Sequence, residues 1–443
     1  MPAQPTSALR AEASSATHTE APKSAHTGIP TRVILVTGKG GVGKTTSAAA
    51  LALAAAEEGR RVLVMSTDPA HSLGDVLAVE LRSATHWRQV TPIALDAIDG
   101  RHQPTGHLDA LAVDRHTNVE ADWGAVRDHL LLLLEGLDID PVVADELTAL
   151  PGADEISALL ALALAADSGD WDVIVVDCAP TTETLRLLTL PEILGWHLDR
   201  LLPAQRRLLT TLRPAASAAT GIPVPGPHVI ATITTWRRLM GRCRELLTGR
   251  WASVRIVVTP ERVVIAEARR LRSAFALHGY AVDEVIVNRL LPPGEDPWRV
   301  AWNRAQQEGL ALIAQSFDGM PVTTVPHLAG EPIGVGALAD LHRARTVLSG
   351  QPAGLLDPVN APVPRVHVDG EMLVLRQPIG LADAAQVRVQ RRGDDLIVAV
   401  AGERRILALP SALRRCLVDT ATVGNGMLTV RFTKDEEVWP RGR

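Results

Sequence analysis

Short apolar runs recur along the first three-quarters of the chain, and most of them lack the alternation of a half-exposed strand. They are rich in Val, Ile and Leu, and they comprise Val33–Val36, Arg61–Asp68, Leu108–Val113, Asp172–Asp177, Arg255–Thr259, Glu284–Asn288 and Val322–Pro326. Continuous apolar runs of this length are typical of strands that are covered on both faces of a parallel sheet. The pattern therefore predicts an α/β fold with a doubly wound, mostly parallel sheet.

Two long insertions, at about 118–168 and about 191–250, separate these runs. The first has apolar residues at helical spacing and predicts helices. The second begins with the Leu-, Ala- and Pro-rich segment Pro191–Pro227, which is poorly patterned and predicts amphipathic helices plus a mobile loop. Together the insertions would form a helical subdomain beside the sheet. The leucine run Leu130–Leu134 fits either ordinary core packing or part of a groove for a hydrophobic client. Trp196 and Leu201-Leu202 allow the same two interpretations.

Changes in composition divide the chain into four parts. Residues 1–30 are rich in Ala, Ser, Thr and Pro without an apolar period, which predicts a disordered tail. The α/β domain is expected at 31–349, ending in a helix, and the Pro/Gly-rich segment 350–364 predicts a linker. At 365–434, short runs separated by Gly- and Asp-rich turns predict a separate all-β sandwich domain. Its predicted strands are Val366–Leu375, Gln386–Gln390, Leu396–Ala401, Arg405–Leu409 and Met427–Phe432.

The first apolar run opens into a glycine-rich loop, and an alanine-rich helix follows the loop. Gly38, Gly43, Lys44 and Thr45 fit the phosphate-loop pattern G-x-x-x-x-G-K-[ST]. In such a loop the backbone N–H groups point at phosphate oxygens, and the N-terminus of the helix lies behind them. Lys44 is expected to reach the β- and γ-phosphates, and the Thr45 hydroxyl is expected to bind Mg²⁺. The sequence therefore predicts a site for ATP and Mg²⁺.

Three other apolar runs end on a polar residue that fits the same site. Ligands of doubly wound domains bind at the carboxyl ends of parallel strands, so Asp68 and Asp177 are expected beside the phosphate loop. Asp68 would orient or activate the attacking water, with a turn or helix-capping role as the alternative. Asp177 would hold Mg²⁺ through water, with a strand-end cap as the alternative. The Asn288 amide fits a contact to an adenine edge.

Bulk properties exclude several functional classes. The net charge of −5 and the aromatic content of 3% provide neither a basic field nor a stacking platform for nucleic acid. The three cysteines form no C-x-x-C pair, which is typical of a reducing compartment. The longest apolar stretches, such as Ala48–Ala56, are much shorter than a bilayer span, and no secretion signal is expected. We therefore expect a cytoplasmic protein without a nucleic-acid partner and without stable membrane insertion.

Several sequence blocks resemble the arsenical-pump ATPase family, which includes the eukaryotic factor that delivers tail-anchored membrane proteins. They are G-K-G-G-V-G-K-T-T at Gly38–Thr46, S-T-D-P-A-H-S at Ser66–Ser72, P-G-A-D-E at Pro151–Glu155, D-C-A-P-T at Asp177–Thr181, T-L-R-L-L at Thr184–Leu188 and V-N-R-L-L-P at Val287–Pro292. The resemblance covers Arg32–Ser349 and implies a homodimeric, Mg²⁺-dependent ATPase that sandwiches two ATP molecules.

The resemblance also implies roles for individual residues. Lys39 fits the deviant phosphate-loop pattern K-G-G-x-G-K-[ST] and would contact the nucleotide of the partner subunit. Asp68 would be the hydrolysis residue, Asp177 the magnesium carboxylate and Asn288 an adenine contact. The predicted catalytic residues are thus Asp68, Lys39 and Lys44. The predicted nucleotide contacts are Gly38, Gly40, Gly41, Val42, Gly43, Lys44, Thr45, Thr46, Asn288, Pro326 and His327, and the predicted magnesium ligands are Thr45, Asp68 and Asp177.

The chain departs from the family pattern in three places. The family continues the Asp177 block with Gly-His, whereas this chain has Thr182 and Glu183. Thr182 takes a positive φ only with strain, and Glu183 adds negative charge near the phosphates, so both changes bear on hydrolysis and its coupling. The C-x-x-C of some family dimer interfaces is absent, and so are the clustered cysteines that bind arsenite in pump members.

The region Val366–Phe432 is similar to the α-crystallin domain of small heat-shock proteins, which a subset of the ATPase family carries. The favoured function is an ATP-dependent chaperone or targeting factor for a hydrophobic client. One alternative is the soluble motor of an arsenite or anion efflux pump, which needs the thiol cluster that this sequence lacks. Another is a partition-type ATP switch, which would need a basic amphipathic helix near the C-terminus.

Overall fold

The computed structural model describes residues 30–68, 72–81, 83–84, 87–95, 105–113, 153–181, 183–192, 227–352, 354–436 and 439. In the α/β domain, the strands are β1 (Arg32–Thr37), β2 (Arg61–Ser66), β3 (Ser83–Ala84), β4 (Thr91–Ile93), β5 (His107–Val113), β6 (Val173–Asp177), β7 (Ala252–Val258), β8 (Val282–Leu290), β9 (Val322–Pro326) and β10 (Thr346–Ser349). Among the described residues they form one sheet in the order β10-β9-β8-β7-β1-β6-β2-β5-β3, with β4 paired to β5.

Helices cover this sheet. They are α1 (Lys44–Glu57), α2 (Ser72–Leu77), α3 (Ala153–Ser168), α4 (Pro227–Thr248), α5 (Arg262–His278), α6 (Pro297–Ser316) and α7 (Val335–Arg343), and residues 183–192 are also helical. Strand β1 is buried at every position and pairs in parallel with β6 and β7. The alanine-rich α1 is buried along most of its length, because small side chains let it approach the sheet closely. The predicted doubly wound α/β fold is therefore confirmed.

Two edge features of this sheet differ from the sequence prediction. The helix predicted to continue to about Ser349 ends at Arg343, and β10 follows it in antiparallel pairing with β9. The segment T-V-L-S contains β-branched residues that favour a strand, and its side chains are mostly exposed, so it lacks the apolar run of a buried strand. The short strands β3 and β4 were also missed, because two or three residues do not establish a period.

The C-terminal region forms two antiparallel sheets, as predicted. Its elements are β11 (Arg365–Asp369), β12 (Met372–Pro378), β13 (Val387–Arg392), β14 (Asp395–Val400), β15 (Glu403–Ala408), α8 (Ser411–Arg414), β16 (Cys416–Gly424) and β17 (Met427–Lys434). The sheets have the orders β11-β12-β17-β16 and β13-β14-β15. Strand β16 was not predicted, because most of its side chains are exposed and its sequence therefore shows no buried face. We call this region the β domain.

The β domain packs on the C-terminal end of α5. Leu277 of α5 belongs to the same buried apolar cluster as Leu396 and Val430 of the β domain. The carbonyl oxygen of Leu277 accepts hydrogen bonds from Gln377 Nε2 at 3.1 Å and from the Arg405 guanidinium. The last carbonyl groups of a helix have no partner within the helix. Here side chains of the β domain donate the hydrogen bonds that the Leu277 carbonyl would otherwise lack.

Several predictions concern residues outside the described ranges. These are the tail at 1–30, the leucine run Leu130–Leu134, Trp196 and Leu201-Leu202, and the larger parts of the two predicted helical insertions. The described parts of the insertions include α3 and α4, which are helical as expected. None of the helices in the described part of the chain is long and apolar enough to cross a membrane.

Candidate functional site: a phosphate loop between two strand-end carboxylates

Three glycines of the loop between β1 and α1 occupy positions that other residues fill only with strain. A Cβ atom on Gly38 would lie 2.2 Å from the carbonyl oxygen of Val257, because the loop passes the end of β7. Gly41 and Gly43 have φ angles of 80° and 91°, which favour glycine. A Cβ atom on Gly43 would also lie 2.3 Å from Nδ2 of Asn288. These glycines let the loop turn tightly at the N-terminus of α1, the position at which phosphates bind.

Lys44 and Thr45 form the first turn of α1 behind this loop. Lys44 is only 7% exposed, and its positive charge favours the ionised form of Asp177. Thr45 is half-buried, and its Oγ1 lies 3.3 Å from Oγ of Ser72 at the start of α2. The structure therefore brings the predicted phosphate lysine and the predicted magnesium threonine together beside the end of β6.

Asp177 is the last residue of β6, and its side chain is fully buried. Oδ2 accepts a hydrogen bond from Ser66 Oγ at 3.3 Å, whereas Oδ1 has no hydrogen-bond partner among the described residues. Burial raises the pKa of Asp177 to about 7, although Thr45, Lys44 and Ser66 favour the charged form. An unpartnered carboxylate oxygen beside a threonine hydroxyl provides the hard oxygen ligands that Mg²⁺ prefers. These residues therefore fit the predicted magnesium site.

Asp68 lies at the same edge of the sheet, two residues after the end of β2. It is half-buried, and its backbone N–H donates to Ser66 Oγ at 3.2 Å. Burial is the largest cause of the raised pKa of Asp177, and the negative charge of Asp68 adds to it, which places the two carboxylates near each other. The structure thus brings Asp68 and Asp177 to one rim, as the sequence predicted, while Pro69–His71 lie outside the described residues.

Hydroxyl side chains that the sequence analysis missed fix the ends of these strands. The Thr67 backbone N–H donates to the Asp177 carbonyl at 3.0 Å, and the Ala179 N–H donates to Thr67 Oγ1 at 3.2 Å. Thr37 Oγ1 donates to Thr184 Oγ1 at 3.1 Å, and the Thr184 hydroxyl donates to the Ala179 carbonyl at 2.7 Å. For Thr37 and Thr67, the position at the end of a buried strand was the available signal, because strand ends at this edge surround the ligand.

Asn288 lies against the phosphate loop. Its Nδ2 donates to the Val42 carbonyl at 2.9 Å, and its side chain is buried. Pro326 ends the neighbouring strand β9 in register with Leu290, and the His327 N–H donates to the Leu290 carbonyl at 2.8 Å. The ends of β8 and β9 are therefore adjacent, as an adenine site formed by both would require. In this structure, however, the Asn288 amide supports the loop itself, which the sequence analysis did not foresee.

The outer face of the loop is open. Gly40 and Gly41 are exposed and Thr46 is half-buried. Lys39 is half-buried, and its ammonium group makes no hydrogen bond or ion pair to any described residue. Glu183 is exposed, with its N–H donating to the Pro180 carbonyl at 2.9 Å, whereas Thr182 lies outside the described residues. Lys39 therefore has the accessibility that a contact to a second subunit would need.

Comparison with known proteins agrees with this geometry. The model of the anion-transporting ATPase family matches residues 31–345, and the model of the HSP20-like domain found in this family matches residues 370–432. The chain belongs to the anion-transporting ATPase family. It is 38% identical to "Protein Rv2184c" of Mycobacterium tuberculosis, over 92% of this chain and 97% of that protein. It is 29% identical to "Putative arsenical pump-driving ATPase 1" of Aquifex aeolicus, over 88% and 97%, and 29% identical to "ATPase ASNA1 homolog" of Trypanosoma cruzi, over 69% and 88%.

The three cysteines of this ATPase-family chain lie on different elements, and all three are buried free thiols. Cys178 follows β6, Cys243 lies on α4 with its Sγ 3.5 Å from the Leu159 carbonyl, and Cys416 begins β16. Burial raises the pKa of each thiol, that of Cys243 to about 12. Within the described ranges, no group of three or more His, Cys, Asp or Glu residues could hold a metal ion. The cysteines therefore form no thiolate cluster.

A buried charged network joins the ATPase domain to its β domain. Glu192, at the end of the helical stretch 183–192, contacts Arg405 Nε of β15 at 2.8 Å, Arg244 Nη1 of α4 at 2.9 Å and His278 Nδ1 of α5 at 3.1 Å. Burial alone would raise the pKa of Glu192, but the His278 hydrogen bond and the two arginines lower it to about 2. We call these four residues the Glu192 network.

Proposed function

We propose that this ATPase-family protein hydrolyses ATP with Mg²⁺ as a homodimer and uses the cycle to capture and release a hydrophobic client. The observation that carries the proposal is the buried Asp177 Oδ1, which has no hydrogen-bond partner among the described residues and lies beside Lys44 and Thr45 at the phosphate loop. Burying a carboxylate costs free energy, and a loop with only a structural role would not need one. The arrangement is suited to a charged ligand that completes the site.

Residues of the loop and of the neighbouring strand ends have separate roles in the transfer of a phosphoryl group to water. The loop N–H groups and Lys44 bind the β- and γ-phosphates and stabilise the charge of the transferred group. Thr45 and Asp177 would hold Mg²⁺, which neutralises phosphate charge when bound. Asp68, on the same rim, accepts a hydrogen bond from the attacking water and aligns it with the γ-phosphorus. The products are ADP and phosphate.

The accessible Lys39 supports a dimeric working unit. In the proposed dimer, its ammonium group contacts the phosphates bound by the partner subunit, which increases charge stabilisation there. Closure of the dimer would therefore depend on bound nucleotide, since each subunit supplies a cation to the other's site. This is also the way in which ATP binding would shape a surface for a client.

The separation and burial of the cysteines favour a hydrophobic client, and not arsenite, as the ligand on which the ATPase cycle acts. Arsenite is thiophilic and needs two or three converging thiolates, whereas burial keeps these thiols protonated. Apolar surface is present instead: Trp298 and Trp302 on α6 are 61% and 42% exposed, and their rings stack with centroids 5.4 Å apart. The predicted client groove of the helical insertions lies outside the described residues.

Two substitutions test the division between binding and chemistry. Lys44→Ala should abolish ATP binding, whereas Asp68→Asn should retain binding and lose at least about 100-fold in turnover. Asp75→Asn, at an exposed carboxylate on α2, is the matched control and should change neither. Calorimetric titration with ATP and a phosphate-release assay measure the two properties. Turnover retained in Asp68→Asn would remove that residue from the mechanism.

Mixed dimers test the action of Lys39 on the partner site. Lys39→Ala and Lys44→Ala protomers are combined. If Lys39 acts on the partner's site, each mixed dimer contains one site with both lysines, whereas neither homodimer contains such a site. We expect turnover above the average of the two parent variants at a 1:1 ratio. Turnover equal to that average would show that Lys39 acts within its own subunit.

Client capture tests the final part of the proposal. A peptide with an apolar helix and a photoreactive group is incubated with the protein and either ADP or a non-hydrolysable ATP analogue. Cross-linking should increase several-fold with the ATP analogue, and Lys44→Ala should remove the increase. Equal cross-linking in both nucleotide states would contradict ATP-dependent capture.

A further inference from the structure

Strand β11 lies at an open edge of the β domain. Among the described strands it pairs with β12 alone, and all five of its residues, Arg365–Asp369, are exposed. An edge strand presents unpaired backbone N–H and C=O groups that can pair with a further strand. Proteins commonly block such edges with charged side chains, prolines or bulges. Strand β11 has neither a proline nor a bulge, and its two charged residues, Arg365 and Asp369, have opposite signs.

The register of β11 determines which backbone groups face the open edge. A two-residue turn, Gly370-Glu371, joins β11 to β12, and Asp369 is opposite Met372. In a hairpin of this kind the residues next to the turn form a hydrogen-bonded pair, and such pairs alternate along the ladder. Positions 365, 367 and 369 therefore direct their backbone groups to β12. Val366 and Val368 direct theirs outward, where a second strand would bind.

The sequence of this strand, R-V-H-V-D, is complementary to itself in antiparallel orientation. If two copies pair about a two-fold axis through His367, Arg365 of each lies opposite Asp369 of the other, and Val366 lies opposite Val368. The outward backbone groups of the two valines then form four hydrogen bonds across the axis. We propose that β11 of one chain pairs with β11 of a second copy, so that the β domains form an eight-stranded sheet across a two-fold axis.

The charges around β11 favour this partner. Arg365 lies opposite Arg376 of β12, and two like charges in that position repel each other. The Asp369 of a second copy would lie on the other side of Arg365 and offset this repulsion. In the described part of its own chain, Asp369 contacts Arg431 at the long distance of 3.6 Å, and both side chains are largely exposed. The Asp369 carboxylate therefore remains accessible to a second cation.

The apolar face of the strand supports the same pairing. Val368 is in register with Leu373 and Phe432, and Val366 is in register with Leu375 and Val430. Residues in register share a face, so both valines continue the apolar face that packs inside the sandwich. Val368 and Val366 are nevertheless 68% and 42% exposed. A second β11 would place valines against these valines on the same face.

Charge reversal distinguishes self-pairing from any other use of this edge. Arg365→Asp places Asp opposite Asp369 in a homodimer, and Asp369→Arg places Arg opposite Arg365, so each variant repels its own copies. A 1:1 mixture of the two variants restores opposite charges at both contacts. Analytical ultracentrifugation of the full chain without nucleotide should show weaker self-association for each variant, by about tenfold or more in the dissociation constant. The mixture should recover the affinity of the original protein.

Two further variants complete the test. Arg388→Asp, on the exposed face of β13, is the matched charge reversal and should leave association unchanged. Val366→Pro removes an outward N–H without touching the bonds to β12, so the chain should fold and lose association. Unchanged association in both charge variants, or a mixture no tighter than its parents, would overturn the proposal. Pairing at this edge is separate from the phosphate loop, so ATP binding measured by calorimetric titration provides an independent readout and should be unchanged in the edge variants.

Discussion

Glu192→Gln tests whether the Glu192 network holds the ATPase and β domains together. The substitution keeps the size of the side chain and removes its charge. Glu192 is 19% exposed, while Arg405 and His278 are 7% and 4% exposed, so two nearly buried basic groups would lose their anion. Removing one partner of a buried ion pair commonly costs about 3–5 kcal/mol, because the other charge stays desolvated.

The pKa of Glu192 gives an independent value for the stabilisation free energy that its charge contributes. Its folded-state value is about 2, compared with an ordinary value of 4.5. Each unit of difference corresponds to about 1.4 kcal/mol, so the charged Glu192 contributes about 3 kcal/mol at neutral pH. The folded-state pKa is depressed, so this contribution is complete above pH 4.5 and declines as the pH falls towards 2. The difference between the original protein and Glu192→Gln should decline over the same interval.

Hydrogen exchange and urea unfolding measure this effect. A local loss of about 3 kcal/mol corresponds to roughly 100-fold faster exchange of the amides in β15 at pH 7. Urea unfolding between pH 3 and 8 should show the difference in unfolding free energy decreasing below pH 4.5. Glu57→Gln, which breaks the surface contact between Glu57 and Arg343, is the control and should cost less than about 1 kcal/mol. Exchange in β15 within threefold of the original protein, or a difference independent of pH, would refute the reasoning.

Three further outcomes are expected. Gly43→Ala should lose nucleotide affinity in calorimetric titration, because φ is 91° and the new Cβ would meet Asn288, whereas Gly241→Ala on α4, with open space around it, should not. Asp177→Asn should retain ATP binding in the absence of Mg²⁺ and lose the increase in affinity that Mg²⁺ produces, since a neutral amide is a weaker ligand. Arsenite should not stimulate ATP turnover in a steady-state assay; a several-fold stimulation that disappears on Cys→Ser substitution would contradict the separation of the thiols.

Sequence patterns predicted best those elements whose residues share the same degree of burial from one position to the next. Strands β1 and β6 are buried at every position, so a continuous apolar run was sufficient to place them. The phosphate loop was predicted because all its parts are contiguous in sequence. Strand β16 was missed, because a mostly exposed strand has no apolar face. The contact between Glu192 and Arg405 joins positions 213 residues apart, and no local spacing can indicate such a pair.

The helical stretch 183–192 connects the nucleotide site to the β domain at its two ends. Thr184 near its start bonds to Thr37 and to the loop that follows Asp177, and Glu192 at its end bonds to Arg405 of β15. The eight helical rises from Thr184 to Glu192 span about 12 Å, and the hydrogen-bonded backbone between them couples the two ends. A change at the Asp177 loop that follows the state of the γ-phosphate would therefore displace both ends of the helix. The Arg405 guanidinium of the β domain also donates a hydrogen bond to the Leu277 carbonyl of α5. If Glu192 moved, the β domain would therefore have to move with it or lose the contact between Glu192 and Arg405.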